Sequence, residues 1–247
     1  MLPAPRPRWK RGFAFALVFG SIAAGSAPAG EAGVACTDYS KLLAEVGRLD
    51  VSYGASDVAV AGSWAFLAKD RGRVHVVDVS DPQSPAIVTT VQLPSEPAAI
   101  ELYGAYAFVA DNGSGLQVLY VSDPRSPRIA AALSLPGGAG RLALEGATLY
   151  VSTSAEFHVV DVSNPTAPRL AGSSSRPYSY HRGLAIYASH AYVTQEDSVA
   201  IFDVSSPEAP RIVRAMPLNG HAAALAVRGH ELLVGTWGRG YSTSGEL

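Results

Sequence analysis

Asp78-Val79-Ser80-Asp81-Pro82-Gln83-Ser84-Pro85 is written four times in this chain, with small changes. It returns as Tyr120-Val121-Ser122-Asp123-Pro124-Arg125-Ser126-Pro127, as Asp161-Val162-Ser163-Asn164-Pro165-Thr166-Ala167-Pro168, and as Asp203-Val204-Ser205-Ser206-Pro207-Glu208-Ala209-Pro210. The leading prolines stand at 82, 124, 165 and 207, spacings of 42, 41 and 42. A period this constant marks a repeat architecture. Within each copy the two prolines fix φ and cannot donate to a β-ladder, so they end one strand and begin another. Asp and Ser ahead of them accept backbone N–H bonds in tight turns. These residues are therefore read as turn-formers, not as a catalytic Asp/Ser pair.

Outward from the phrase, each unit carries four short apolar runs. The first alternates: Val58-Ala59-Val60, Ile100-Glu101-Leu102, Leu142-Ala143-Leu144, Leu184-Ala185-Ile186 and Leu225-Ala226-Val227. After a turn at Gly62, Gly104, Gly146, Ala188 or Gly229 comes a second run, such as Trp64 to Leu67 or Tyr106 to Val109. The third leads into the phrase (Val74 to Val79, Leu116 to Val121, Phe157 to Val162, Val199 to Val204), and the fourth follows its second proline. Short Val-, Ile-, Tyr- and Phe-rich runs punctuated by Gly, Asn, Asp and Pro are strand signals. Helical periodicity is suggested only at Tyr39 to Val46. Four strands in about 42 residues predict an all-β protein of β-propeller blades, whose two apolar faces are covered by stacking on neighbours.

Val76-Val77-Asp78-Val79-Ser80-Asp81-Pro82, Val159-Val160-Asp161-Val162-Ser163 and Phe202-Asp203-Val204-Ser205 resemble the LVIVD repeat of secreted bacterial and archaeal proteins. Tyr106-Ala107-Phe108-Val109-Ala110-Asp111 and Gly115-Leu116 match the segment ahead of it. The resemblance covers residues 46–247 and implies a β-propeller, often exported. The resemblance implies little about activity, since the family has no motif-borne catalytic residues to carry over, and fold does not settle function.

Complete blades are expected at 57–93, 98–135, 140–173 and 182–218, with two strands of a fifth in 224–247. Tyr241 to Leu247, where its third strand belongs, is polar and poor in β-branched residues. Val46 to Val51 could supply an outermost strand, so that the two chain ends meet in one blade. Five blades are expected, the last incomplete or closed by that N-terminal strand; a piece of a six- or seven-bladed ring is the rival.

Residues 1–29 read as a signal peptide. Arg6, Arg8, Lys10 and Arg11 precede an apolar run from Gly12 to Gly25, and Ala27-Pro28-Ala29 offers a cleavage site before Gly30. That run is too short to span a bilayer, although an uncleaved anchor is the alternative. Residues 30–45 would form an N-terminal arm. The expected location is periplasmic, cell-surface or extracellular, with no membrane insertion after cleavage. Cleavage would leave 15 Lys+Arg against 21 Asp+Glu, a net charge of −6. With no basic cluster beyond the leader, nucleic acid is not an expected partner. The single cysteine, Cys36, forbids an internal disulfide. It is either a free thiol or, through Gly33-Val34-Ala35-Cys36, a lipid attachment point.

The loops entering the first strands and those joining second to third strands are expected to share one rim. The candidate ligand-binding residues there are Tyr178, Tyr180, His181, Arg182, His221, Arg141, Asp111 and Trp237. They fall where the repeats differ, and variable loops on a rigid scaffold carry recognition. Ser173 to Arg182 is the longest entering loop and is rich in Tyr, Ser, His and Arg, residue types common at binding surfaces. A plain exposed loop there, and a packing role for Trp237, are the alternatives. No catalytic residues, metal or cofactor are expected: ligand spacings such as His-x-x-x-His, phosphate-binding glycine loops and a nucleophile elbow are all missing. The expected function is a monomeric, non-catalytic module binding a protein or glycan. A metal-dependent hydrolase or lyase using His181, His221, Glu196 and Asp197 is the alternative, and a purely structural repeat or a fragment the third.

Overall fold

The computed structural model describes residues 46–51, 54–69, 71–175, 182–228, 231–237 and 243–246. They form five antiparallel sheets and no helix. The first contains β1 (Ala55–Ala61), β2 (Trp64–Lys69), β3 (Arg73–Asp78) and β4 (Ala86–Gln92); the second β5 (Pro97–Tyr103), β6 (Tyr106–Asp111), β7 (Gly115–Tyr120) and β8 (Arg128–Leu133). The third holds β9 (Ala139–Glu145), β10 (Thr148–Thr153), β11 (Glu156–Asp161) and β12 (Arg169–Ser175); the fourth β13 (Leu184–Tyr187), β14 (His190–Thr194), β15 (Ser198–Asp203) and β16 (Arg211–Pro217). The fifth has three strands: β17 (His221–Arg228), β18 (Glu231–Trp237) and β19 (Thr243–Glu246). Each sheet is a meander in chain order, which is the blade its repeat predicts.

The first strands of successive sheets are neighbours, β1 to β5, β5 to β9, β9 to β13 and β13 to β17, so they line a common axis. Between sheets the core is built from alternating side chains. Phe66, Val74 and Val76 on one face of the first sheet meet Val109 and Leu119 of the second. Phe108, Leu116 and Val118 meet Val151 and Val160 of the third. Tyr150 and Phe157 meet Val193 and Phe202, and the rings of Phe157 and Phe202 stack at 4.5 Å. Tyr192 and Val199 then cover Leu232 and Val234. Strand alternation thus gives the sheets their apolar faces, and the junctions between successive sheets bury one face from either side.

The repeated phrase sits at the end of the sheets that carries the first hairpin turn. Val79, Val121, Val162 and Val204 donate their N–H groups to the carbonyls of Ser63, Ala105, Ala147 and Ser189. Ser80, Ser163 and Ser205 donate backbone N–H to Asp78, Asp161 and Asp203 at 2.9, 2.9 and 3.0 Å. The Ser205 hydroxyl and then Arg211 hold the Asp203 carboxyl well below the usual range. The side chains of Asp78 and Ser80, and of Asp203 and Ser205, are bonded to each other within these turns.

The ends of the chain depart from the simple repeat. Thr243–Glu246 pairs with β18, Val234 opposite Thr243 and Glu231 opposite Glu246, although its sequence is polar. Backbone pairing makes this strand from a segment whose only β-branched residue is Thr243. Residues 46–51 form no strand, yet Leu49 and Val51 pack on Ala65, Leu67, Val77 and Val79 at the rear face of the first sheet. Gly47 lies against the Pro82 carbonyl as Gly172 of β12 lies against that of Pro207. This segment therefore takes the place that an outer strand takes against the next blade. Among the described residues no ladder joins it, or β1, to the fifth sheet. Tyr39 to Glu45, the leader and Cys36 lie outside the described residues.

Candidate functional site

Opposite the phrase, the loops entering first strands are hydrogen-bonded to the loops between second and third strands. Asn112 N–H bonds the Glu96 carbonyl at 2.9 Å, Ser154 N–H that of Gly137 at 3.4 Å, and Ala222 N–H that of Glu196 at 3.0 Å. These two loop sets form one rim. At the start of the first strand, matched by register, the five sheets carry Asp57, Ala99, Arg141, Gly183 and Ala224. A position so unlike itself from repeat to repeat is not dictated by the scaffold.

Arg141 begins β9 and reaches both ways. Its Nη1 donates to the Ala98 carbonyl of the second sheet at 2.7 Å, and its Nε to the Arg182 carbonyl of the fourth at 3.2 Å. Burial lowers its pKa; the Asp57 carboxylate opposes this and the Arg182 charge adds to it. Asp57 receives the N–H of Val58 at 2.9 Å and, across the sheet boundary, that of Ile100 at 2.9 Å. Glu101, half-buried in β5, has its carboxyl pushed upward by burial first and by Asp57 second. Asp57, Glu101, Arg141 and Arg182 thus form one charged group around the first strands.

The rim candidates meet different fates. Arg141 and Arg182 are brought together, and Arg182 is exposed. His221 is exposed, its Nδ1 3.7 Å from Glu196 Oε1 across the seam of the fourth and fifth sheets. Asp111 is fully buried and receives the N–H groups of Ser95 at 3.0 Å, Gly113 at 3.1 Å and Ser114 at 3.2 Å. It shapes its turn and presents nothing to solvent. Trp237 lies opposite His221 in the β17–β18 ladder. Its side chain, and the whole of Tyr178, Tyr180 and His181, lie outside the described residues. Among the described residues no three His, Cys, Asp or Glu side chains gather in a way that could hold a metal ion.

Sequence reasoning passed over Glu101. Its signal was available: Ala59, Ala143, Ala185 and Ala226 fill the same place in the other repeats. An acidic side chain at a site where every other repeat keeps alanine is a departure that the scaffold does not ask for.

Four copies of the LVIVD repeat match residues 54–92, 98–132, 136–175 and 180–215, together more than half of the chain. The chain belongs to the LVIVD-repeat family. Among solved structures, this LVIVD-repeat protein is similar to a functionally unknown protein from Desulfotomaculum acetoxidans, with a TM-score of 0.63 and 13% identity. The match covers 77% of the present chain and 65% of that one, and at this identity it speaks for the fold alone. No curated protein matches the LVIVD-repeat chain.

Proposed function

We propose that this LVIVD-repeat protein is an exported, non-catalytic binding module whose rim is presented to a protein or glycan ligand by a monomeric chain. The observation that carries this reading is the division of labour between the two ends of the sheets. At the phrase end, Asp78, Asp161 and Asp203 accept turn hydrogen bonds from Ser80, Ser163 and Ser205. At the other end, the equivalent position changes from Asp57 to Ala99, Arg141, Gly183 and Ala224, and Arg182, Glu196 and His221 reach solvent. Side chains that the scaffold does not repeat and that reach solvent, as Arg182, Glu196 and His221 do, can meet a ligand. In the sequence, Tyr178, Tyr180 and His181 lie between β12, which ends at Ser175, and Arg182 of this rim.

The test compares the native chain with one carrying Tyr180→Ala, His181→Ala and Arg182→Ala together. Both are used to capture ligands from a cell-surface extract and to probe a glycan array. The reading expects weakened capture at an unchanged melting temperature; equal capture by both chains refutes it. Fractionation of the source cells, with N-terminal sequencing expected to begin at Gly30, tests export separately.

A further inference from the structure

The second repeat breaks the phrase at its first position, where Tyr120 stands in place of Asp78, Asp161 and Asp203. In the third and fourth sheets the acid lies in register with an arginine that opens the outer strand, Arg169 opposite Asp161 and Arg211 opposite Asp203. There the arginine serves the acid. Arg211 donates from Nε and Nη2 to Asp203 at 3.2 and 2.8 Å, and the charge of Arg169 acts on Asp161. In the second sheet the same row reads Tyr103, Tyr106, Tyr120 and Arg128. Side chains paired across strands share a face. Here it is the face toward the third sheet, against which Tyr103 and Tyr106 pack. Ser80, Ser163 and Ser205 each give a backbone N–H to their acid, and in the second repeat Tyr120 offers Ser122 no such carboxylate. Three repeats are built with the acid, so the scaffold does not ask for this exchange.

The exchange releases Arg128. Its guanidinium lies 4.6 Å over the Tyr120 ring, and the side chain is exposed. Among the described residues it makes no hydrogen bond and no ion pair. Arg125, in the same phrase, is already engaged, 5.2 Å over the Trp64 ring and 3.7 Å from Asp78. Tyr106 meets Tyr120 edge-on at 5.4 Å, and Tyr103 stacks on Phe108 at 6.4 Å. All three tyrosines are half-buried with hydroxyls that reach solvent, and among the described residues none of these hydroxyls bonds a protein atom.

We propose that Tyr103, Tyr106, Tyr120 and Arg128 form a second binding site, at the phrase end, for a uronic acid residue of an acidic glycan. It lies at the opposite end of the sheets from the rim and does not depend on it. A guanidinium held over a ring by cation–π attraction keeps its N–H groups for a planar oxyanion, and a carboxylate matches that fork with two oxygens. A tyrosine hydroxyl both donates and accepts, so three in a row suit the hydroxyls of a sugar ring. Tyrosine and arginine are also the side chains that carry binding energy at recognition surfaces, the former at low entropic cost. A peptide carboxylate would use the arginine and leave the hydroxyls idle.

A tetrasaccharide of glucuronic acid is titrated calorimetrically into the full chain at constant ionic strength, beside its uncharged glucose counterpart and tetraglutamate. Saturable binding of the acidic sugar is expected, with both comparators weaker by roughly tenfold or more. Arg128→Ala, a change at an exposed side chain, should weaken the acidic sugar by about the same factor. Tyr120→Asp restores the residue of the other repeats. It should melt no lower than the native chain and abolish binding, because Arg128 then turns to the new carboxylate. If Tyr120→Asp does not fold, Arg128→Ala decides alone. Non-saturable heat with the acidic sugar, or equal affinity in the native chain and Arg128→Ala, overturns the site. Equal binding of tetraglutamate makes it a peptide site and overturns the sugar assignment. Equal binding of the glucose tetrasaccharide takes the carboxylate out of recognition and overturns the role of Arg128.

Discussion

The guanidinium of Arg141 donates from Nη1 to the carbonyl of Ala98 at 2.7 Å, tying a side chain of the third sheet to the first strand of the second. Its Nε bond to Arg182 O extends the tie to the fourth sheet. Apolar side chains make most of the contact between sheets; alongside the Asp57–Ile100 bond, this is a polar latch, and it crosses two boundaries.

Breaking the latch should cost stability. Replacing Arg141 with methionine leaves the Ala98 and Arg182 carbonyls without their donor, a loss of about 1–3 kcal/mol. Lysine, a point charge without the planar fork, should recover only part of it. Urea midpoints of the three proteins at pH 7 check the order; equal midpoints would show that water replaces the latch at no cost.

Gly138 sits in the turn entering β9 with φ +64, where a Cβ would run into the carbonyl of Asn112 on the neighbouring sheet. Gly62 has φ +56 and nothing within 4 Å. In the fourth repeat its place is taken by Ala188, at φ 48. Gly138→Ala is therefore expected to lose about 2–3 kcal/mol, from strain and clash together, and Gly62→Ala about 1 kcal/mol or less. Thermal melts of the pair measure the difference, and similar losses would mean that the 112–138 contact yields freely.

His158 is fully buried between the second and third sheets, with no hydrogen-bond partner at Nδ1 and Glu156 Oε2 3.7 Å from it. Burial lowers its pKa from 6.5, and Glu156 opposes that shift. The unfolded chain therefore takes up a proton at a pH where the folded one does not. Its contribution is fully present above pH 6.5 and is lost as the pH falls through that value toward the lower folded pKa. The slope approaches about 1.4 kcal/mol per pH unit for one titrating ring. His158→Leu should remove that share of acid sensitivity. Urea midpoints at pH 7 and pH 5 are compared for both proteins, and an unaltered difference would clear His158 of the role.

Leu49 and Val51 cover the rear face of the first sheet without belonging to a strand. Changing both to serine should lower the melting temperature by several degrees, since burying one such side chain contributes about 1.5–3 kcal/mol. Deleting residues 30–52 should lower it at least as much. If neither change moves the melt, the N-terminal segment is an ornament on a sheet that stands by itself.

Much of the fold was legible because strand order and facing follow from local chemistry. Proline, Asp and Ser fixed where β3, β7, β11 and β15 end, and the period-2 alternation of runs such as Val74 to Val79 made both faces apolar. Thr243–Glu246 was illegible for a related reason: a strand made by backbone pairing leaves no mark when its side chains are polar. The rim was legible only as a location. Asp111 and Arg141 look equally polar on paper, yet one turns inward to bind three N–H groups and the other spans three sheets.

The sequence by itself determined the repeat, the strand count of each complete unit, the turn chemistry and the end of the sheets where variation gathers. All of these depend on residues within a few positions of one another. Tertiary structure alone decided that Arg141, Arg182, Asp57 and Glu101 share one charged group, and that Leu49 and Val51 pack on the first sheet. Those meetings join residues 40 or more positions apart in several cases, such as Ala98 and Arg141. Only the stacking of blades around an axis, driven by burial of the apolar faces between successive sheets, brings them within reach.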